Sequence, residues 1–286
     1  MLKLSTILGS LFYLLPIYIF LIAPALRQFF PPAEEDLTFD PDDDAADLEG
    51  PILNDTILSL DDGIEPTCAP DNYRVHLLRR DPLVIYIEDF LSSEEADHLV
   101  ELGQETYTPS IIYDGTTEKV DPNTRLSDRA LLPRTNTVRC LENRAKAFQG
   151  WRPHLYIERM WAQRYNASGH YRHHYDWAGS SARGGDRAST FMVYLGDECT
   201  GGGTNFPRFK RPRDEKWCRF VECENEAEGV TFRPVKGNAI FWENLRPDGS
   251  GYLETWHAAF PVTEGTKVGL NIWSWYQAPR RRRIFC

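Results

Sequence analysis

Lysine and arginine are absent from Glu34 to Asp71, although that stretch carries 14 Asp or Glu. Such a composition cannot bury enough apolar surface to offset the entropy of ordering, so residues 28–73, which begin QFFPP, read as an extended acidic linker. Local contacts can form around Leu58 and Leu60. Excess positive charge is missing as well: the chain stands at −10, and from Arg74 to Cys286 there are 28 acidic groups against 30 Lys and Arg. No polyanion-binding surface follows from that balance, and nucleic acid is not an expected partner. There is no convincing paired CxxC to hold zinc and no internal repeat.

What is present first is an apolar start. Between Lys3 and Arg27 lie 23 uncharged residues, which as a helix would reach about 34 Å, enough to cross a hydrocarbon core. Pro16 can kink such a span without excluding it. Ala23-Pro24-Ala25 offers a small-x-small site for the alternative, a cleaved secretory signal, but the apolar run is longer than signals usually are. Basic charge before the run and acid after it favour a single-pass type II anchor with the remainder lumenal, in the endoplasmic reticulum or elsewhere in the secretory pathway. Cleavage would make the protein secreted.

The 286 residues therefore divide into a membrane anchor or signal over 1–27, a linker over 28–73 and one folded domain over 74–286. Six cysteines, at 68, 140, 199, 218, 223 and 286, suit an oxidising compartment without establishing pairing. Cys199, Cys218 and Cys223 flank one polar insertion and could staple it, free buried thiols being the alternative. Asn54 and Asn166 begin the two N-x-S/T sequons.

Within the domain, PLVIYIEDFLSS contains a β-favouring run, and Ser92 followed by Glu95 spells a capping box for a helix with Ala96, Leu99, Val100 and Leu102 on its apolar face. A second helix is expected from about Thr137 to Gln149. After Pro153 the pattern changes to short apolar runs broken by Gly, Pro and polar turns. HLYIERMWAQRY, STFMVYLG, GVTFRPV, GNAIFWE and KVGLNIWSWY read as strands, and two packed sheets explain how so many short strands bury one core.

His174-Tyr175-Asp176 and the distant His257 carry the chemistry. On a strand, residues 174 and 176 share a face, so an imidazole and a carboxylate can converge on one ion. Two histidines and one carboxylate leave positions open for an organic cosubstrate and oxygen, which suits Fe(II). Alone the pattern also fits structural hydrogen bonding, a cupin or a zinc hydrolase.

The context narrows this. RYNASGHYRHHYDW, STFMVYLG, GGGTNFP, RPVKGNAIFWENLRPDGS and HAAFPVTEGTKVGLNIW, in that order, resemble the prolyl 4-hydroxylase group of Fe(II)- and 2-oxoglutarate-dependent dioxygenases, with weaker similarity upstream through IYIEDFLSSEEADHL and TRLSD. The resemblance implies a mainly β domain, a double-stranded β-helix of jelly-roll or cupin type with flanking N-terminal α-helices. It implies iron held by His174, Asp176 and His257, and the distal carboxylate of 2-oxoglutarate held by Lys267. Tyr165, Tyr171 and Thr204 match positions lining the cosubstrate pocket, and Trp273 matches a wall beside the iron. Arg125 matches a residue near the substrate channel, although Leu126 and the WCRFVEC insertion depart from the pattern. L-ascorbate is implied as a rescuer of oxidised iron. The implied acceptor is peptidyl proline, with a smaller peptide or specialised metabolite as runner-up. A membrane-attached metal-binding scaffold without turnover is the non-enzymatic alternative.

Overall fold

The computed structural model describes residues 48–281, apart from 50, 114–116 and 225. The expected anchor or signal over 1–27 and the first part of the linker lie outside the described residues. Among those described, no helix is long and apolar enough to cross a membrane.

Fifteen elements carry the account. In chain order they are β1 (Arg74–Arg80), β2 (Leu83–Glu88), α1 (Ser93–Gly103), β3 (Arg125–Leu126), β4 (Asp128–Leu131), α2 (Asn136–Phe148), β5 (Leu155–Ile157) and β6 (Trp161–Tyr165). They continue with β7 (His170–His174), β8 (Asp186–Gly196), β9 (Thr204–Phe206), β10 (Val230–Phe232), β11 (Ala239–Glu243), β12 (His257–Ala259) and β13 (Lys267–Tyr276). The larger sheet runs β1-β2-β11-β8-β13-β6-β4 and ends on Thr108–Pro109, with β5 beside β13; the smaller runs β10-β9-β12-β7-β3. All these pairings are antiparallel. The chain thus alternates between two facing sheets, which is the jelly-roll arrangement.

Strand β8 shows why the sheets stack. Phe191, Val193 and Leu195 point to a core shared with Leu99 of α1 and Leu141 of α2, whereas Met192 and Tyr194 point the other way, to Phe206, Phe232 and Trp242. Successive side chains of a strand leave on opposite faces, so a strand covered on both sides reads as an unbroken apolar run. Each such side chain contributes about 1.5–3 kcal/mol by leaving water. Helix α1 begins on the capping box: Glu95 N–H donates to Ser92 Oγ at 3.1 Å and Ser92 N–H donates to Glu95 Oε2 at 2.9 Å. Gly237 turns the chain into β11 with φ +83°, and a Cβ there would stand 2.8 Å from the Leu91 carbonyl.

The linker expected over 28–73 is, from residue 51 onward, fastened to the domain: Cys68 is bridged to Cys140, Ser59 N–H donates to the Ile157 carbonyl at 2.8 Å, and Asp62 pairs with Arg139 at 2.7 Å. Its acids find arginines of the folded domain, so charge that looked solvating serves as attachment. In the polar insertion Cys218 pairs with Cys223 and Cys199 stays unbridged. Strand β1, RVHLLRR, escapes a reading by apolar runs because it is an edge strand in which arginines and His76 interrupt the apolar positions and no side chain is fully buried.

Candidate active site

The two histidines stand opposite each other on neighbouring strands of the smaller sheet, His174 closing β7 and His257 opening β12. Asp176 lies beyond β7, which stops at His174. The pleat therefore does not place the carboxylate, contrary to the expectation of one strand face. It is instead aimed by the Thr190 hydroxyl on β8, which donates to Asp176 Oδ2 at 2.8 Å. Asn244 Nδ2 donates to Thr190 Oγ1 at 2.8 Å, and Trp242 Nε1 donates to Asn244 Oδ1 at 2.8 Å. Each member of this buried relay has one rotational choice removed by the next.

The outcome is convergence. Asp176 Oδ1 lies 3.5 Å from His174 Nε2 and 3.9 Å from His257 Nε2, and one ligand atom from each of the three lies within 4.8 Å of the others. His174 Nδ1 faces the Arg172 carbonyl at 2.8 Å, and His257 Nδ1 faces the Thr255 carbonyl at 2.9 Å. A carbonyl oxygen only accepts, so each Nδ1 carries the proton and Nε2 of the neutral ring keeps its lone pair for an ion. Burial, with His174 beside it, pushes His257 down to about 4, so its ring is neutral at physiological pH. Burial opposes ionisation of Asp176, but His257, His174 and Arg187 outweigh it and hold the carboxyl below the usual range. Two imidazole lone pairs and one carboxylate edge fit a divalent transition metal with positions left for other ligands.

A second group gathers around Lys267. It opens β13, opposite Tyr165 of β6, and is 1 % exposed. Its Nζ donates to the Gly202 carbonyl at 2.6 Å and lies 5.4 Å from the ring centres of both Tyr165 and Tyr194. Tyr194 in turn donates to Thr204 Oγ1 at 2.8 Å. Among the described residues no carboxylate pairs with this ammonium, and burial pulls it down to about 8 although the Cys199 sulfur nearby acts the other way. A buried cation without an anion is costly unless a ligand supplies one. The cradle thus fits a carboxylate-bearing molecule.

The remaining sequence-derived residues separate. Tyr171 meets the metal side: its ring stacks on His174 with centroids 3.7 Å apart and is covered by the Arg125 guanidinium at 4.6 Å. Trp273 stands across from Thr190 on the paired strands, its Nε1 a buried donor with no partner. Arg187 was not singled out from sequence. Its guanidinium lies 3.6 Å from the Trp273 ring centre, is gripped by both oxygens of Glu158 at 2.7 and 2.9 Å, and reaches the Asp176 carbonyl at 3.5 Å. Neither Arg187 nor Glu158 sits in a distinctive local pattern, so only pairing across the sheet reveals them. The same holds for Thr190 and Asn244. Thr190→Val should weaken ferrous affinity by about 10–100-fold while leaving the three ligand side chains in place. Anaerobic iron titration of the folded variant reads this, and unchanged affinity would remove the relay from the site.

A jelly roll whose smaller sheet carries two histidines converging with a carboxylate, and whose larger sheet carries a buried lysine, is a fold and site of the metal-dependent oxygenase class. Residues 160–275 match the family model of the 2OG-Fe(II) oxygenase superfamily. The chain is 30 % identical over 221 residues to probable prolyl 4-hydroxylase 7 of Arabidopsis thaliana, covering 74 % of this chain and 66 % of that protein. With the mouse prolyl 4-hydroxylase subunit alpha-3 it shares 31 % identity over 67 % of its own length and only 33 % of that subunit's. The viral collagen prolyl hydroxylase of Paramecium Bursaria Chlorella virus-1, solved with 2OG, shares the fold at TM-score 0.52 and 24 % identity, over 68 % of this chain and 96 % of that one. The chain belongs to the 2OG-Fe(II) oxygenase superfamily, among its prolyl 4-hydroxylase-like members.

Proposed function

We propose that this protein is an iron- and 2-oxoglutarate-dependent dioxygenase that hydroxylates peptidyl proline. The observation that carries the reading is the presence, inside the family's own fold, of the converging His174, Asp176 and His257 donors together with a buried Lys267 that no carboxylate of the described residues pairs with. In this reading His174, Asp176 and His257 hold Fe(II), and Lys267 pairs with the distal carboxylate of 2-oxoglutarate. Tyr165, with Tyr194 and Thr204, walls that end against water. Trp273 and Tyr171 bound the metal side. Bound iron supplies the redox chemistry by which oxygen and 2-oxoglutarate become succinate and carbon dioxide, one oxygen atom entering a C–H bond of the acceptor. The chain supplies charge at Lys267, lone pairs at both Nε2 atoms and a fixed orientation of Asp176 through Thr190.

The peptide acceptor is supported by the names of the plant and mouse relatives, a probable prolyl 4-hydroxylase and a prolyl 4-hydroxylase alpha subunit. Ascorbate is proposed as the reductant that restores ferrous iron. We place the domain in the secretory pathway, anchored through the N-terminal apolar run; that run and the two disulfides support the placement.

The test is oxygen-dependent succinate formation by the purified protein with Fe(II), 2-oxoglutarate and a panel of proline-containing peptides, with mass spectrometry for the gain of one oxygen. Peptide hydroxylation is expected. Turnover of a small metabolite but of no proline peptide would replace the acceptor, and binding of iron and 2-oxoglutarate without succinate across the panel would leave a scaffold.

A further inference from the structure

Two arginines, Arg125 over the Tyr171 ring at the metal site and Arg129 on β4, pair with no acid among the described residues. Arg125, only 8 % exposed, lies over Tyr171, whose ring covers His174. Its Nε donates to Ser127 Oγ at 3.1 Å, and among the described residues no carboxylate pairs with it. Arg129 stands four residues on, opposite Gln163 of β6. Gln163 Oε1 accepts from the Tyr165 hydroxyl at 3.0 Å, and Tyr165 faces Lys267. Ala130 packs toward Gly103 of α1, so by strand alternation Arg129 projects to the other face of the sheet, the one that looks into the jelly roll.

Arg129 is equally without an anion. Its guanidinium lies 4.3 Å from the Trp161 ring centre, and its Nε is a buried donor with no partner. The adjacent Asp128 is taken by Arg164 at 3.0 Å, and Glu118 acts on Arg129 only from beyond ion-pair distance. Burial disfavours the charge of Arg129, and Arg125 disfavours it further. Two like charges held near each other, each with unused guanidinium donors, are an arrangement that a bidentate carboxylate relieves. The distal carboxylate of 2-oxoglutarate belongs at Lys267, so the missing anion arrives with the other substrate.

We propose that Arg125 and Arg129 form a carboxylate-binding subsite for the acceptor, which is therefore a peptide carrying Asp or Glu close to the residue that is hydroxylated. This rests on the hydroxylase reading above and narrows its substrate class.

The experiment compares proline peptides that differ only in Asp or Glu against Asn or Gln flanking the target proline, in the parent protein, Arg129→Gln and Arg129→Lys. The parent should favour acidic peptides by about tenfold in kcat/KM. Arg129→Gln should erase that preference without changing KM for 2-oxoglutarate, and Arg129→Lys should restore part of it. Equal kcat/KM for acidic and amide peptides, or a change confined to KM for 2-oxoglutarate, overturns the subsite and leaves the hydroxylase reading standing. If no peptide is turned over, the proline acceptor of the reading fails, and binding of the same peptides by tryptophan fluorescence still decides the subsite. Tighter binding of the acidic peptides that is lost in Arg129→Gln supports it, and equal binding overturns it.

Discussion

Asp176→Asn abolishes tight ferrous binding and lowers 2-oxoglutarate turnover by more than about a hundredfold, the upper end of what losing an outer partner of a metal ligand costs. The substitution is chosen because it isolates charge. The amide oxygen can still accept from Thr190, and the side chain keeps its volume between His174 and His257. What disappears is the anionic edge that neutralises a divalent ion and makes the two-imidazole site selective for metals of iron type. Thermal unfolding in the absence of iron should fall below that of the parent, because His257, His174 and Arg187 favour the ionised carboxylate in the folded state and a neutral amide of the same shape forfeits that contribution. Anaerobic iron titration and succinate release are the measurements. A variant that bound iron as tightly as the parent would detach Asp176 from the metal.

Lys267→Ala raises KM for 2-oxoglutarate by about 10–150-fold, the equivalent of about 1.5–3 kcal/mol for a hydrogen bond to a charged group. At saturating cosubstrate much of kcat should return, since the lysine is placed at the carboxylate and not at the metal. The pH dependence separates charge from shape. Burial lowers the ammonium from 10.5 to about 8 in the free protein. A lysine whose folded value lies below its unfolded one favours unfolding while it is charged, so the free protein gains stability as pH rises from about 8 toward 10.5. Cosubstrate binding needs the charge and weakens over the same window. Stability and affinity therefore move in opposite directions above pH 8 in the parent, and both trends flatten in Lys267→Ala. Parallel trends, or a KM unaffected by the substitution, would place the carboxylate elsewhere.

Much of this was legible in the chain itself. The apolar runs ending in KVGLNIWSWY and GNAIFWE became β13 and β11, because strands buried on both faces have nowhere to put polar residues. Ser92 and Glu95 announced α1 because a capping box is satisfied within four residues and needs no tertiary partner. His174, Asp176, His257 and Lys267 were recognisable as an ordered set. Local pattern failed wherever partners were remote. The acids at 62 and 71 looked like solvated charge, yet they meet Arg139 and Arg144 on α2. Cys68 found Cys140 across 72 positions.

Residue type and spacing determined which side chains could bind a metal and a dicarboxylate, since imidazole, carboxylate and ammonium chemistry travels with the side chain. Only the tertiary structure decided how Asp176 is aimed, that Tyr171 covers His174, and that among the described residues Arg125 and Arg129 have no acid to answer them. Those are properties of neighbours brought together by strand pairing from distant parts of the chain, and a polar group's environment exists only once the fold has removed it from water.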